Sequence, residues 1–290
     1  MLAFLAAPFV ASLILTGIHA YLGVHVVERG VIFVDLSLAQ IAALGATVAL
    51  LTPLSNGDPH SGYVYWVSLL FTFIGAAVFS TIRGHRARIP QEAIIGICYA
   101  VASAAAILAM SKSTSESEHL KDMLVGNILA VSWPEVGKTA LLYGAVGLFH
   151  LIFRDKFLAI SIDPKGAQAR GISIRLWDFL FYASFGFVVT SSVSIAGVLL
   201  VFCYLIVPSV AAMLYAETIG RRLAIGWTMG TIVSALGVYL SLTLDLPTGA
   251  TIVCTFGVVL ILMAVIRVLV PRTAAAPVRH VPAGADRSRA

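Results

Sequence analysis

Nine apolar stretches, at about 2–22, 31–53, 62–82, 91–110, 134–153, 174–191, 196–216, 223–242 and 249–270, divide this chain of 290 residues. A bilayer core about 30 Å thick takes about 20 apolar residues to cross as a helix. Inside it, backbone N–H and C=O groups have to be bonded within the protein, which leaves helices as the spanning element for segments of this length. The spacing predicts an all-α, polytopic membrane protein with eight or nine transmembrane helices. The count turns on the first segment and on the close pair flanking TSSVSI (190–195). Composition agrees, since only 11% of the residues are charged where soluble domains carry about 25%. A tenth apolar piece, MLVGNILAVSW (123–133), is too short to span and is expected to be re-entrant or to lie along the surface.

The charges orient these segments. RGHRAR (83–88), the loop 154–175, Arg221 and Arg222, Arg29 and the tail from Arg267 hold 16 of the 19 basic residues. They fall on alternate loops, and basic loops face the cytoplasm. The expected placement is the cytoplasmic (inner) membrane, with the C-terminus cytoplasmic. The opposite loops hold Lys112, Lys121 and Lys138, and Asp58, His60 and His119 lie outside with them as residues able to meet incoming cargo or a binding protein. The first 20 residues lack a basic leader and read as a retained helix. Residues 271–290, rich in Ala, Pro and Arg, read as a disordered cytoplasmic tail after a transmembrane domain at 1–270.

Enzyme chemistry finds no support. SWPEVGKTA (132–140) ends in Gly-Lys-Thr, but Ser132 stands where a phosphate-binding loop needs its first glycine. HVVER (25–29) is not HExxH, and no GxSxG is present. Cys98, Cys203 and Cys254 stand singly in apolar runs as small core residues. With no soluble domain in the chain, an energy source has to be another chain.

The loop LAISIDPKGAQARGISIRLWDFL (158–180) has its own local order. Asp163 can cap a short helix starting at Pro164, and Gly171 can end it. Ala167, Gln168 and Ala169 then give a small, smooth surface edged by Arg170. Such a helix is either a docking element for a soluble partner or a plain capped connection.

Four stretches taken together resemble the permeases of the zinc/manganese/iron class of ATP-binding-cassette importers. They are GVHVVERGVIFVDLSLAQIAALG (23–45), LVGNILAVSWPEV (124–136), ISIDPKGAQARGI (160–172) and SIAGVLLVFCYLIVPSVAAMLYA (194–216), with Arg29, Gly126-Asn127-Ile128-Leu129, Asp163-Pro164, Ala169, Gly171, Gly197 and Pro208 as matches. The resemblance implies a permease of the type II importer kind at 1–270. It implies that Asp163, Pro164, Ala167, Ala169, Arg170 and Gly171 look like a coupling helix seated on a cytosolic ATP-binding subunit. Further implied partners are an extracytoplasmic solute-binding protein, a second permease copy and membrane lipid, with no nucleic acid. No cofactor belongs to this chain, ATP being held by the partner, and the cargo class is a divalent metal ion or metal complex.

Family members carry an aspartate and a histidine four residues apart on the second helix. Here Gln40 takes the histidine position, Leu36 the position four before it, and the acid stands at Asp35. Asp35 and Gln40 are thus the candidate metal ligands, yet at about 100° per residue they point about 140° apart. Ser37 and Gln40, about 60° apart, share a face and with Asp35 are the candidate pathway residues. Asp35 has two readings: a pathway or gate acid, or a wet partner of Arg29. Gln40 likewise is a pathway residue or an interhelical hydrogen bond. His19 and His150 read as packed, and His25 with Glu28 as a solvated loop or an exit site. The alternative to the importer is an ion-coupled secondary transporter working without ATP.

Overall fold

The computed structural model describes residues 2–55, 57–58, 61–82, 90–111 and 128–270. His60, His119, Lys112, Lys121, Gly126, Asn127, the 83–88 arginines and the tail 271–290 lie outside the described residues. Among those described, all regular structure is helical: α1 (Leu2–Arg29), α2 (Val34–Leu50), α3 (Gly62–Ile82), α4 (Gln91–Met110), α5 (Trp133–Ile152), α6 (Arg154–Ile162), α7 (Pro164–Ala169), α8 (Ile174–Tyr215), α9 (Ile219–Leu244) and α10 (Thr248–Leu269). Ile128 and Leu129, the last two residues of the Gly-Asn-Ile-Leu match, fall in a single 3-10 turn, Ile128–Ala130.

Helices α1, α3, α4, α8, α9 and α10 are each long and apolar enough to cross a membrane. A seventh is added if α5 and α6, bent by 74° at their junction, count as one. This is fewer than the eight or nine expected, for two reasons. α2 is apolar but only 17 residues long. The segments 174–191 and 196–216 run on from one another as α8 and are counted once, although the chain folds back between them at Gly197; the serines of TSSVSI bond to their own helix. Ser191 donates to Phe187 and Val188, Ser192 to Val188, and Ser194 to Ser191. A hydroxyl satisfied this way needs no polar turn.

α8 is nevertheless not one straight rod. Its 42 residues would extend about 63 Å. Asp178, near its start, bonds Arg29 in the last turn of α1. Ala216, just past its end, accepts from Arg222, which also pairs with Glu28 in that same turn. Both ends of α8 therefore return to one end of α1, and the reversal falls at Gly197, where φ is 75° and ψ 161°. That region is essentially open to glycine alone, and a side chain there costs about 1–3 kcal/mol. Gly197→Ala is expected to destabilise the protein by that amount, read as a lower Tm in detergent. An unchanged Tm would show that the reversal does not depend on glycine.

Lipid offers no hydrophobic drive to bring helices together, so close fit has to hold them. Gly23 lets α1 lie directly on the backbone of α8, where a Cβ would run into the Leu205 carbonyl. Gly45 does the same for α2 against Ser68 of α3, whose hydroxyl donates to the Ala42 carbonyl at 2.7 Å. α1 packs on α5, α8 and α9, while α2 packs on α3, α4 and α8. The outer surface presents exposed Leu141, Leu148, Ile232, Ile261 and Val268, as a lipid-facing surface does. α5 begins with a capping box, Ser132 to Glu135, with Pro134 in its first turn. Gly137, Lys138 and Thr139 are thus helical residues and no phosphate-binding loop forms there. The links Arg29–Asp178, Arg222–Glu28 and Arg267 to the Leu214 carbonyl gather the basic residues of α1, α9 and α10 at one end of the bundle.

Candidate functional site

The short helix expected after Asp163 is present. The Asp163 carboxylate accepts from the Gly166 N–H at 2.9 Å, Pro164 opens α7, and Gly171 follows it with φ 78°. Asp163, Lys165, Gln168, Ala169, Arg170 and Gly171 are exposed. Ala167 is not part of that surface: it is fully buried and anchors α7 to the bundle. A helix of one and a half turns needs one side to hold it down, and a methyl group lets that side sit close. The presented surface is Gln168, Ala169 and Arg170.

Immediately before α7, α6 is fastened to the core by buried polar contacts. Ser161 donates its one proton to the Phe157 carbonyl at 2.8 Å. Its lone pairs are then free to accept from Arg29 Nε at 2.9 Å and from His25 Nδ1 at 2.8 Å. This assigns the His25 proton to Nδ1. Arg29 also donates from a terminal nitrogen to Asp178 Oδ1 at 2.5 Å, both side chains being fully buried, and its guanidinium lies 3.9 Å above the Phe181 ring. His150 of α5 stacks on Phe157 with ring centroids 4.2 Å apart and meets Ser184 of α8 at 2.8 Å. Three helices thus converge around α6: α1 through His25 and Arg29, α5 through His150, and α8 through Asp178 and Ser184.

This cluster corrects three expectations. Arg29 pairs with Asp178, so it is not the partner of Asp35. His25 and Glu28 belong neither to a loop nor to an exit site, because α1 continues to Arg29; His25 is 1% exposed and Glu28 pairs with Arg222. Asp178 was not singled out from the sequence, although an acid in the apolar run LWDFLF (176–181) is the kind of signal that flags a buried partner. His19 and His150 are packed, as expected, His19 between the Leu15 carbonyl and Ser192.

Asp35 sits in the first turn of α2 and is 1% exposed, with neither carboxylate oxygen hydrogen-bonded. Ser37 is fully buried and its hydroxyl also lacks a partner. Gln40 is half-buried. α2 is regular from Val34 to Leu50, so Ser37 and Gln40 share a side while Asp35 lies on the stripe of Leu38 and Ala42. Buried polar groups are normally bonded, and each orphan costs about 1–3 kcal/mol. Two such residues stand within one turn of α2. Among the described residues no group of three His, Cys, Asp or Glu side chains forms a metal-ligand set.

Residues 1–267 match the ABC 3 transport family. The chain belongs to that family. This agrees with the resemblance carried by the four stretches around Arg29, Ile128, Asp163 and Gly197. Among its relatives, the manganese transport system membrane protein MntC of Listeria innocua is 28% identical over 202 residues, covering 67% of this chain and 71% of the relative. A probable iron transport system membrane protein of Haemophilus influenzae is 25% identical over 252 residues, covering 86% of this chain and 89% of the relative. The fold is similar to that of PsaBC from Streptococcus pneumoniae, solved in complex with Fab, with a TM-score of 0.74 at 23% identity over 90% of both chains. A transport family of this kind is not a catalytic one, and the chain is a multi-pass membrane protein.

Proposed function

We propose that this chain is the membrane-spanning permease subunit of an ATP-binding-cassette importer, moving a divalent metal ion or metal complex. Membership of the ABC 3 transport family favours an ATP-driven system over an ion-coupled carrier, and the manganese and iron named for its relatives point to the cargo class. The observation that carries the reading is α7, a capped helix exposed at the basic end of the bundle and joined through α6 to α1, α5 and α8. A cytosolic ATPase pressing on Gln168, Ala169 and Arg170 moves α6, and Ser161 passes that movement to His25 and Arg29. The chain itself does no bond chemistry, and ATP belongs to the partner.

On this reading the basic end is cytoplasmic, the C-terminus is cytoplasmic, and the membrane is the inner one. The crossings number eight or nine, with the two arms of α8 counted separately and with or without the short α2. A second permease copy completes the assembly, and a solute-binding protein delivers cargo at the opposite end. Asp35, Ser37 and Gln40 supply the pathway. Their carboxylate, hydroxyl and amide oxygens are hard donors that suit manganese better than zinc. Asp35 and Gln40 do not share a face of α2, so no single ion is held by both.

The test is uptake of manganese by proteoliposomes holding the permease with its copurified ATPase. Uptake is expected to require ATP and to fall more than tenfold with Gln40→Leu while the Tm holds. Uptake without ATP would overturn the importer reading, and full uptake by Gln40→Leu would leave that residue a packing contact.

A further inference from the structure

Helices α9 and α10 form an antiparallel pair with a groove of about 440 Å³ open on the lipid-facing side. Ile225, Thr228, Ile232 and Leu236 of α9 and Val259 and Met263 of α10 line it. The one hydroxyl among these six, of Thr228, is spent on the Ala224 carbonyl of its own helix at 2.8 Å. The groove is therefore apolar along its length.

Both walls continue into an arginine. On α9 the lining positions step back from Leu236 by three or four residues at a time, and one step below Ile225 stands Arg221, exposed. On α10 the step of four from Val259 through Met263 reaches Arg267, half-buried, whose Nε donates to the Leu214 carbonyl at 2.8 Å. At 3.6 residues per turn these positions lie on one stripe of each helix. Arg221 begins α9 and Arg267 lies in the last turn of α10, so both stand at the same, basic end of the groove. Neither helix contains an acidic residue.

We propose that this groove is a binding site for one anionic phospholipid of the leaflet at the basic end, with an acyl chain along the α9–α10 cleft and the phosphate between Arg221 and Arg267. The dimensions fit. From Ile225 to Leu236 is about 17 Å of helix rise, and one leaflet contributes about 15 Å of hydrocarbon. The charge also fits, because two arginines, with no acid within either helix and Glu217 one turn before Arg221, leave a net positive end that attracts a phosphate. It disfavours a second copy of the chain there, since a two-fold contact through this face sets four arginines against two glutamates at one level.

The test is native mass spectrometry of the purified full-length protein after exchange into mixed micelles containing dioleoyl phosphatidylglycerol and dioleoyl phosphatidylcholine in equal amounts. The wild type is expected to retain one phosphatidylglycerol at least fivefold over phosphatidylcholine. Arg221→Gln with Arg267→Gln removes the preference, the paired Lys substitutions keep it, and Ile232→Trp, which fills the cleft, lowers retention of both lipids. Equal retention of the two lipids by the wild type overturns the proposal, as does a preference that survives both the glutamine pair and Ile232→Trp. So does disulfide-linked dimer formation in native membranes by Ile232→Cys in a background free of Cys98, Cys203 and Cys254, which would put a second copy in the groove.

Discussion

Asp178→Ala is expected to destabilise the protein by about 3–5 kcal/mol, the usual consequence of stripping one partner from a buried ion pair. The Arg29 guanidinium is fully buried, so the loss of the Asp178 carboxylate is felt in a low-dielectric surrounding. The loss should appear as a much lower Tm in detergent. Arg29→Met with Asp178→Leu is expected to recover most of that stability, because apolar residues of similar size often replace a buried pair at no net cost. The double variant still lacks the Arg29–Ser161 bond, so of the two α1 side chains that bond Ser161 only His25 remains. ATP-driven uptake should stay low although the protein is stable again. Full uptake by the stable double variant would show that the pair contributes to folding only, and that movement of α6 reaches the bundle by another route.

Ala169→Arg is expected to abolish copurification of the ATPase, with more than a tenfold loss, while leaving the stability within about 0.5 kcal/mol of wild type, as for exposed substitutions that touch no special feature. Ala169 is exposed at the end of α7, where a long cation replaces a methyl group on the proposed contact surface. Ala167→Arg should behave differently. Ala167 is fully buried, so this change forces a charge under the helix and lowers the Tm together with ATPase binding. Only the Ala169 variant separates docking from folding. Retention of the ATPase by stable Ala169→Arg would mean that α7 is not the contact.

How much of this was legible beforehand differs by level. The helical class, the alternation of basic loops and the α7 unit follow from apolar runs, Lys and Arg spacing, and the Asp163-Pro164 to Gly171 pattern, all of which act over a few residues. The capping box at Ser132 and Glu135 is equally local, although the adjoining Gly137-Lys138-Thr139 invited a comparison with a phosphate loop. The count of spans was harder to read, because the two arms of α8 meet at Gly197 without a polar loop and α2 has only 17 residues. Asp178 escaped notice for the opposite reason. Its partner Arg29 lies 149 positions away, beyond any window in which a charge pair can be seen.

The sequence by itself determined that this chain lives in a bilayer, that one end of its bundle is basic, and that a capped helix interrupts the long loop between α5 and α8. Hydropathy, charge and capping are properties of neighbouring residues, so they survive without knowledge of the fold. Only the tertiary structure decided that α8 turns back at Gly197, that Arg29 joins Asp178 and Ser161, that Ala167 faces inward, and that Asp35 and Ser37 lack partners. Each of those depends on which helix lies opposite. In a low-dielectric interior, where a charge must find its counterpart or remain unsatisfied, that is settled by packing between segments far apart in the chain.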